Sequence, residues 1–264
     1  MPDPLNPVQQ RLQRGEHVLN GWLHLPGGVS AEVMGRAGYD CLTVDLQHGL
    51  IGDGGLVTTL QAIAATPAAP LVRVPGLHPP DLMRVLDAGA AGVICPMIDT
   101  PEQAAALVHA CRYAPLGGRS FGPTRARLIY GDDYAAQAET GLLIFAMIET
   151  AQALANLDRI VQTPGLSGVY VGPGDLSLSL TGRATLDFRG EAAEAVARVA
   201  QVASRHGLIP GIFTPGGELA RHALELGYRF VTAGSDFALL STAARGVVAD
   251  LRPSAVSPSP PSLY

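Results

Sequence analysis

LLIFAMIETAQALANLDRIVQTPGLSGVYVGPGDLSLS, residues 142–179, contains one pattern twice. An apolar run, Leu142–Ile148, delivers Glu149 and is followed by TAQALANLDRIV, whose apolar residues recur at helical spacing. A second run, Gly168–Val171, delivers Asp175 through the turn Gly172-Pro173-Gly174, with Leu-Ser-Leu-Ser beyond. Short apolar runs bounded by turns and alternating with helical patterns read as parallel βαβ units. In such units ligands gather beyond the carboxyl ends of the strands, so both acids belong to the functional rim.

Outward from this stretch the alternation continues in both directions. A short helix near Val8–Arg14 precedes a first strand at 17–25, which ends near Trp22 and His24. The helix that follows takes Ser30 as its cap. Residues 40–49 give a second strand running out into Asp45 and His48, and 69–75 a third that ends at Arg73. A helix begins at the prolines Pro79 and Pro80 and stops at Gly89. The fourth strand, 91–98, leads into a helix with Thr100 as cap and Pro101 in its first position. Beyond residue 179, helices and two further strands alternate up to a last helix ending near Leu251. Only residues 113–141 break the rhythm. They carry Arg119, Arg125 and Arg127 among several glycines, and are expected on the rim as a cover or a subunit contact.

The count is eight strands and roughly eight helices in about 250 residues, the size and order of an α/β (β/α)8 TIM barrel of one domain. A doubly wound open sheet is the alternative, but no G-x-G-x-x-G follows the first strand. The barrel is assigned to 1–251 and a Pro/Ser-rich, disordered tail to 252–264.

A net charge of −5 with no basic cluster argues against nucleic acid or an anionic membrane as partner. No apolar run reaches the roughly 20 residues of a membrane span, and the N-terminus lacks the apolar core of a secretory signal. Three scattered cysteines, Cys41, Cys95 and Cys111, fit reduced, buried thiols and a cytoplasmic setting. All 18 basic residues are arginine. Without lysine there is no Schiff base, no Walker lysine and no site for pyridoxal phosphate.

Trp22, Asp45, His48, Arg73, Glu149 and Asp175 all fall at strand ends or just after. Each has a plainer reading: Trp22 as packing, His48 as a core histidine, Arg73 as a structural ion pair, Asp175 as a helix cap. Thr150 is a better cap than Glu149, which leaves Glu149 to face a ligand. Two carboxylates without cysteine or paired histidines make an oxygen-rich site suited to Mg²⁺, Mn²⁺ or Co²⁺. The small residues Gly172, Pro173 and Gly174 leave backbone amides of a helix N-terminus open to a carboxylate or phosphate. A metal beside an anion pocket suits a bidentate α-keto acid whose keto oxygen also meets Arg73.

The stretches GYDCLTVDLQHG, PLVRVP, GVICPMIDTPEQAAALVHACRYAPLGGRS, IFAMIETAQALANLDRI and GVYVGPGDLS cover most of residues 18 to 240. Together they resemble the metal-dependent, class II pyruvate aldolases that cleave 4-hydroxy-2-oxoheptanedioate and 2-dehydro-3-deoxyglucarate. The resemblance implies Glu149 and Asp175 as ligands of the divalent metal, Arg73 as the keto-oxygen contact, and Asp45 with His48 as a proton-handling dyad. It implies the amides of Gly174 and Asp175 as the keto-acid carboxylate site, and a homo-oligomer (a hexamer or trimer) in which the last helix packs on a neighbouring subunit. Gln47 departs from the family's usual Asp-x-Glu-His and removes a negative charge beside the site.

The reaction so implied is reversible aldol cleavage of a 4-hydroxy-2-oxo acid to pyruvate or hydroxypyruvate plus an aldehyde, through an enolate. Decarboxylation of an oxaloacetate-type acid, or a CoA-ester lyase of the malyl- or citramalyl-CoA type, could use the same enolate. The CoA version needs a basic groove, for which only the arginines of 113–141 are on offer. A barrel that binds a keto acid without turnover would have no need of the whole set. A two-carboxylate glycosidase would need an aromatic cleft, and only 5% of residues are aromatic.

Overall fold

The structure, a computed structural model, describes residues 7–252. Eight parallel strands close in sequence order: β1 Val18–Leu23, β2 Cys41–Asp45, β3 Ala69–Arg73, β4 Gly92–Cys95, β5 Leu143–Met147, β6 Gly168–Val171, β7 Ile209–Thr214 and β8 Phe230–Ser235. Closure comes from β1 pairing with β8, Val18 opposite Phe230 and Asn20 opposite Thr232. The expected Pro/Ser tail lies, from residue 253 on, outside the described residues. No helix among the described residues is long and apolar enough to cross a membrane.

Strands covered on both faces need apolar residues at every position, and β2, β4, β5 and β6 are buried throughout. Alternation then sorts their side chains into two cores. Leu42 and Val44 of β2, with Ile144 and Ala146 of β5, join the layer beneath the helices. Cys41 of β2, with Leu143, Phe145 and Met147 of β5, fills the barrel axis beside Trp22, Leu71, Tyr170 and Phe230. Gly211 opposes Tyr170, and a Cβ there would stand 2.7 Å from its ring. The missing side chain makes room for the phenol. Polar atoms in this interior are paired: the Asn20 amide lies 2.7 Å from Thr232 Oγ1 and 3.0 Å from Thr43 Oγ1, and Tyr170 Oη 2.6 Å from Thr232 Oγ1.

The connections follow chain chemistry. Thr100 and Gln103 form a reciprocal capping box at the helix Pro101–Cys111, with Pro101 in the first turn. The helix after β1 runs Gly28–Arg36 and starts at Gly27, not at a Ser30 cap. Ser30 Oγ is engaged elsewhere, donating to Asp236 at 2.6 Å. Residues 113–141 form two helices, Thr124–Tyr130 and Tyr134–Gly141. They join a helix to the start of β5, which places them at the amino end of the barrel, not on the rim. Arg125 donates to the carbonyl of Ala88 and Tyr130 Oη to that of Gly89, just ahead of β4. Arg119 anchors the segment: its side chain is fully buried, 2.6 Å from Asp87 and held between the rings of Tyr113 and Tyr134.

Removing one partner of a buried ion pair strands the other. Asp87 keeps some water, so Arg119→Met should lower unfolding free energy by roughly 2 kcal/mol, at the mild end for such pairs. Urea denaturation measures it, and an unchanged midpoint would show that the segment is not anchored there.

Candidate active site

At the carboxyl end of the barrel the inward-facing series run on past the strand termini. Val18, Asn20 and Trp22 lead to His24; Cys41 and Thr43 to Asp45; Ala69 and Leu71 to Arg73; Leu143, Phe145 and Met147 to Glu149. Tyr170 leads to Gly172, and Gly211 to Phe213. Period-two geometry thus points residues from six strands into one place. Trp22, His24, Arg73, Met147, Glu149, Tyr170, Gly172 and Phe213 line a cleft there with Pro173, Gly174, Asp175 and Leu186.

Asp45 is fully buried behind Trp22, His24 and Arg73. Arg73 binds it through two nitrogens, Nε to Oδ1 at 2.8 Å and Nη2 to Oδ2 at 2.5 Å. Trp22 Nε1 donates to Oδ2 at 3.2 Å, and His24 Nε2 lies 3.1 Å from the same oxygen. The amides of Gln47 and His48 donate to Oδ1. Burial alone would push this carboxyl up, but the hydrogen bonds from His24 and Arg73 and the guanidinium charge hold it well below the usual carboxylate range. Trp22 both packs and binds: its ring stacks on Tyr170, meets Phe213 edge-on and lies under Arg73 at 4.9 Å.

Glu149 faces the cleft from the end of β5 and does not cap the next helix. Thr150 does that, accepting from the Ala153 amide. Glu149 Oε1 accepts from the Met97 amide at 2.8 Å, while Oε2 is buried without a hydrogen-bond partner. Burial, with the Asp175 charge adding to it, pushes this carboxyl up to about 7. A Cβ on Gly172 would stand 2.5 Å from Oε2, so glycine is needed there for Glu149 to fit. Met97 reaches Glu149 from a left-handed backbone, φ 56°, which is uncommon outside glycine and a mark of functional loops.

Asp175 sits in the first turn of the helix Pro173–Thr181, half-buried; Gly172 starts that helix and no side chain caps it. The first amides are therefore available to an anion. His48 lies beyond the end of β2, exposed. Burial of its ring and the nearby Arg73 charge lower its pKa, while Asp45 and Asp175 oppose them. Trp22, Asp45, His48, Arg73, Glu149 and Asp175 thus all lie at this end of the barrel, with Trp22, Arg73, Glu149 and Asp175 lining the cleft itself. The sequence reading passed over His24, Phe213 and the amide of Met97 as site groups. Strand alternation carried two residues past Trp22 would have found His24; the bend at Met97 left no sequence signal.

Asp45 titrates below its unfolded value of about 4, so its stabilisation is complete above that pH and is lost progressively as pH falls from there toward its depressed folded value. The stability gap between the protein and Asp45→Asn should narrow by about 1.4 kcal/mol per pH unit below pH 4. Urea melts between pH 5 and pH 2 measure this, and a gap that stays constant would contradict it.

Comparison with known proteins gives the family of this barrel. The family model described as HpcH/HpaI aldolase/citrate lyase matches residues 22–243. A hydroxypyruvate/pyruvate aldolase of Rhizorhabdus wittichii is 44% identical over 249 residues, spanning 94% of this chain and 99% of that protein. A 4-hydroxy-2-oxo-heptane-1,7-dioate aldolase of Klebsiella pneumoniae is 35% identical over 92% of this chain and 93% of its own length. Among solved structures, an HpcH/HpaI aldolase/citrate lyase family protein from Burkholderia cenocepacia superimposes with a TM-score of 0.86 at 33% identity, covering 94% of this chain and 99% of that one. On the family match and on identity across nearly its whole length, the chain belongs to the HpcH/HpaI aldolase/citrate lyase family.

Proposed function

We propose that the chain is a carbon–carbon lyase that reversibly cleaves a 4-hydroxy-2-oxo acid into pyruvate or hydroxypyruvate and an aldehyde, with a divalent cation as cofactor. The observation that carries the cation is the Glu149 carboxylate, buried, with one oxygen lacking any partner, in the cleft that Asp175 also lines. A buried carboxylate with one oxygen unpaired by protein groups suits a cation. Among the described residues no three His, Cys, Asp or Glu side chains gather as a metal cage, so two carboxylates would leave coordination positions to water and substrate. Bound there, Mg²⁺, Mn²⁺ or Co²⁺ would supply Lewis-acid polarisation of the keto group.

The chain's own groups account for the rest. The amides of Gly174 and Asp175 receive the keto-acid carboxylate at the helix start. Arg73, held rigid by Asp45, offers its charge to the C2 oxygen, where negative charge grows as C3 becomes nucleophilic. Trp22, Tyr170 and Phe213 wall the site with aromatic surface and keep water from the carbanionic carbon. His48, beside this charge cluster, exchanges the C3 proton. Against the CoA-ester alternative, Arg119 and Arg125 are pinned at the opposite end of the barrel and form no basic groove beside the cleft.

The last helix, Asp236–Leu251, supports a homo-oligomer. Of its 16 residues only Asp236 is buried, while Phe237, Leu239, Leu240, Val247, Val248 and Leu251 are exposed. An apolar helix left this bare fits packing against another copy of the chain.

Two outcomes test these readings. Deuterium from solvent should enter the methyl group of pyruvate, followed by NMR, when Mg²⁺, Mn²⁺ or Co²⁺ is present; EDTA should stop it, and Glu149→Gln should slow it by about a hundredfold or more. No exchange with any of the three cations would sink the aldolase reading. Separately, Leu240→Glu combined with Val247→Glu should reduce the sedimenting species to a monomer, whereas a wild type that already sediments as one would refute assembly through this helix.

A further inference from the structure

We propose that Asp99 is a positioning residue of the cation site, holding the Met97 amide on Glu149 so that the second carboxylate oxygen stays turned into the cleft. This rests on the reading of Glu149 as a ligand of the divalent cation and says what keeps that ligand aimed. Glu149 divides its oxygens between two tasks. Oε1 accepts from the Met97 amide at 2.8 Å, while Oε2 has no partner and faces Gly172, where a Cβ would stand 2.5 Å away. The last torsion of a glutamate is soft, so the hydrogen bond to one oxygen sets the direction of the other.

Regular structure does not hold the amide that does this. Met97 lies in the loop between β4 and the helix Pro101–Cys111, at φ 56° and with its side chain half exposed. A left-handed residue other than glycine persists only where its surroundings over-determine it. The exposed side chain supplies little of that restraint.

Asp99 supplies it from two residues on. Its amide donates to Gln103 Oε1 at 2.7 Å, its carbonyl accepts from Asn156 Nδ2 at 2.8 Å, and its Oδ1 accepts from the Thr150 hydroxyl. Gln103 belongs to the capping box of the following helix, whereas Thr150 and Asn156 flank the short helix Ala151–Ala155 just after Glu149. The loop that offers the amide is thus locked to the turn that carries the carboxylate, and donor and acceptor move as one body. A further bond extends the brace toward the other proposed ligand. The Ala151 amide donates to Ser179 Oγ at 2.9 Å, and Ser179 lies one helical turn beyond Asp175 in the helix Pro173–Thr181. Asp99 is not among the residues that line the cleft, so it acts through Glu149 and not on the cation itself.

The test reads the cation directly. Mn²⁺ would be titrated into the wild type, Asp99→Ala and Asp99→Asn, with the free ion followed by EPR at a temperature where circular dichroism shows each to be folded. Asparagine keeps an acceptor oxygen for Thr150 and loses only the charge; alanine loses both. The proposal expects the Mn²⁺ dissociation constant to rise about tenfold or more in Asp99→Ala and to recover most of that in Asp99→Asn. Pyruvate methyl exchange in Asp99→Ala should return toward the wild-type rate as Mn²⁺ is raised to saturation. Unchanged affinity in Asp99→Ala would overturn the proposal. Equal weakening in both variants would also overturn it, because charge alone would then be the whole effect. Should Asp99→Ala fail to fold, Thr150→Val and Thr150→Ser replace it: serine keeps the hydroxyl for Asp99 and valine does not. The loss is then expected in valine alone, and equal affinities would refute the brace. A wild type that binds no Mn²⁺ would remove the cation reading instead, and the role of Asp99 with it.

Discussion

Asp45 holds a full negative charge at the mouth of a barrel whose walls are otherwise largely apolar, and the arrangement of the site follows from how that charge is satisfied. Its two oxygens accept from both faces of the Arg73 fork, the Trp22 indole and two backbone amides, and meet the His24 ring. Desolvating a carboxylate costs several kcal/mol, and only a dense set of donors makes it tolerable. The donors come from β1, β2 and β3, so the charge also fixes the relative positions of three strand ends. Truncating any one donor would loosen the others, because all share the same two atoms.

The two ends of the barrel divide the work. At the carboxyl end, buried polar groups are left partly unsatisfied, as in the lone oxygen of Glu149, or held on strained backbone, as at Met97. At the amino end Arg119 Nε and Tyr113 Oη are also buried without a partner, but the polar groups mainly lock structure: Arg119 between two tyrosines, and Arg125 and Tyr130 on the carbonyls ahead of β4. The function proposed for the carboxyl end requires some charge to stay uncompensated, and the destabilisation this brings is offset elsewhere in the fold. Arginine serves both ends. Its planar fork grips Asp45 in the cleft and stacks on aromatic rings at the far end, and neither geometry is available to a lysine ammonium.

Much of this was legible in the sequence because parallel strands impose a simple rule: apolar runs of few residues, each followed by its polar functional group. Trp22, Asp45, Arg73, Glu149 and Asp175 were found that way. Thr100 and Thr150 announced their helices by cap chemistry that is local and therefore readable. What escaped detection depended on distant partners. Ser30 has the composition of a cap, yet the carboxylate of Asp236, far along the chain, draws its hydroxyl away. Residues 113–141 have the composition of an active-site cover, but their place between a helix and β5 sends them to the other end. His24 lies one residue beyond β1, where strand alternation still governs direction but the apolar pattern has already ceased. The His24 ring meets the Asp45 carboxylate, a contact the sequence did not announce, and His48 adds its amide to the same carboxylate.

Asp236 occupies an unusual mechanical position. It is the single buried residue of the last helix, and it clamps the segment that carries His24 by two amides and a hydroxyl. The helix behaves as a lever whose fulcrum is one carboxylate, with an imidazole on the short arm and an apolar surface of some four turns on the long one. A shift of the long arm acts on the imidazole's segment through those three hydrogen bonds. Whatever seats that surface also sets the aim of the ring.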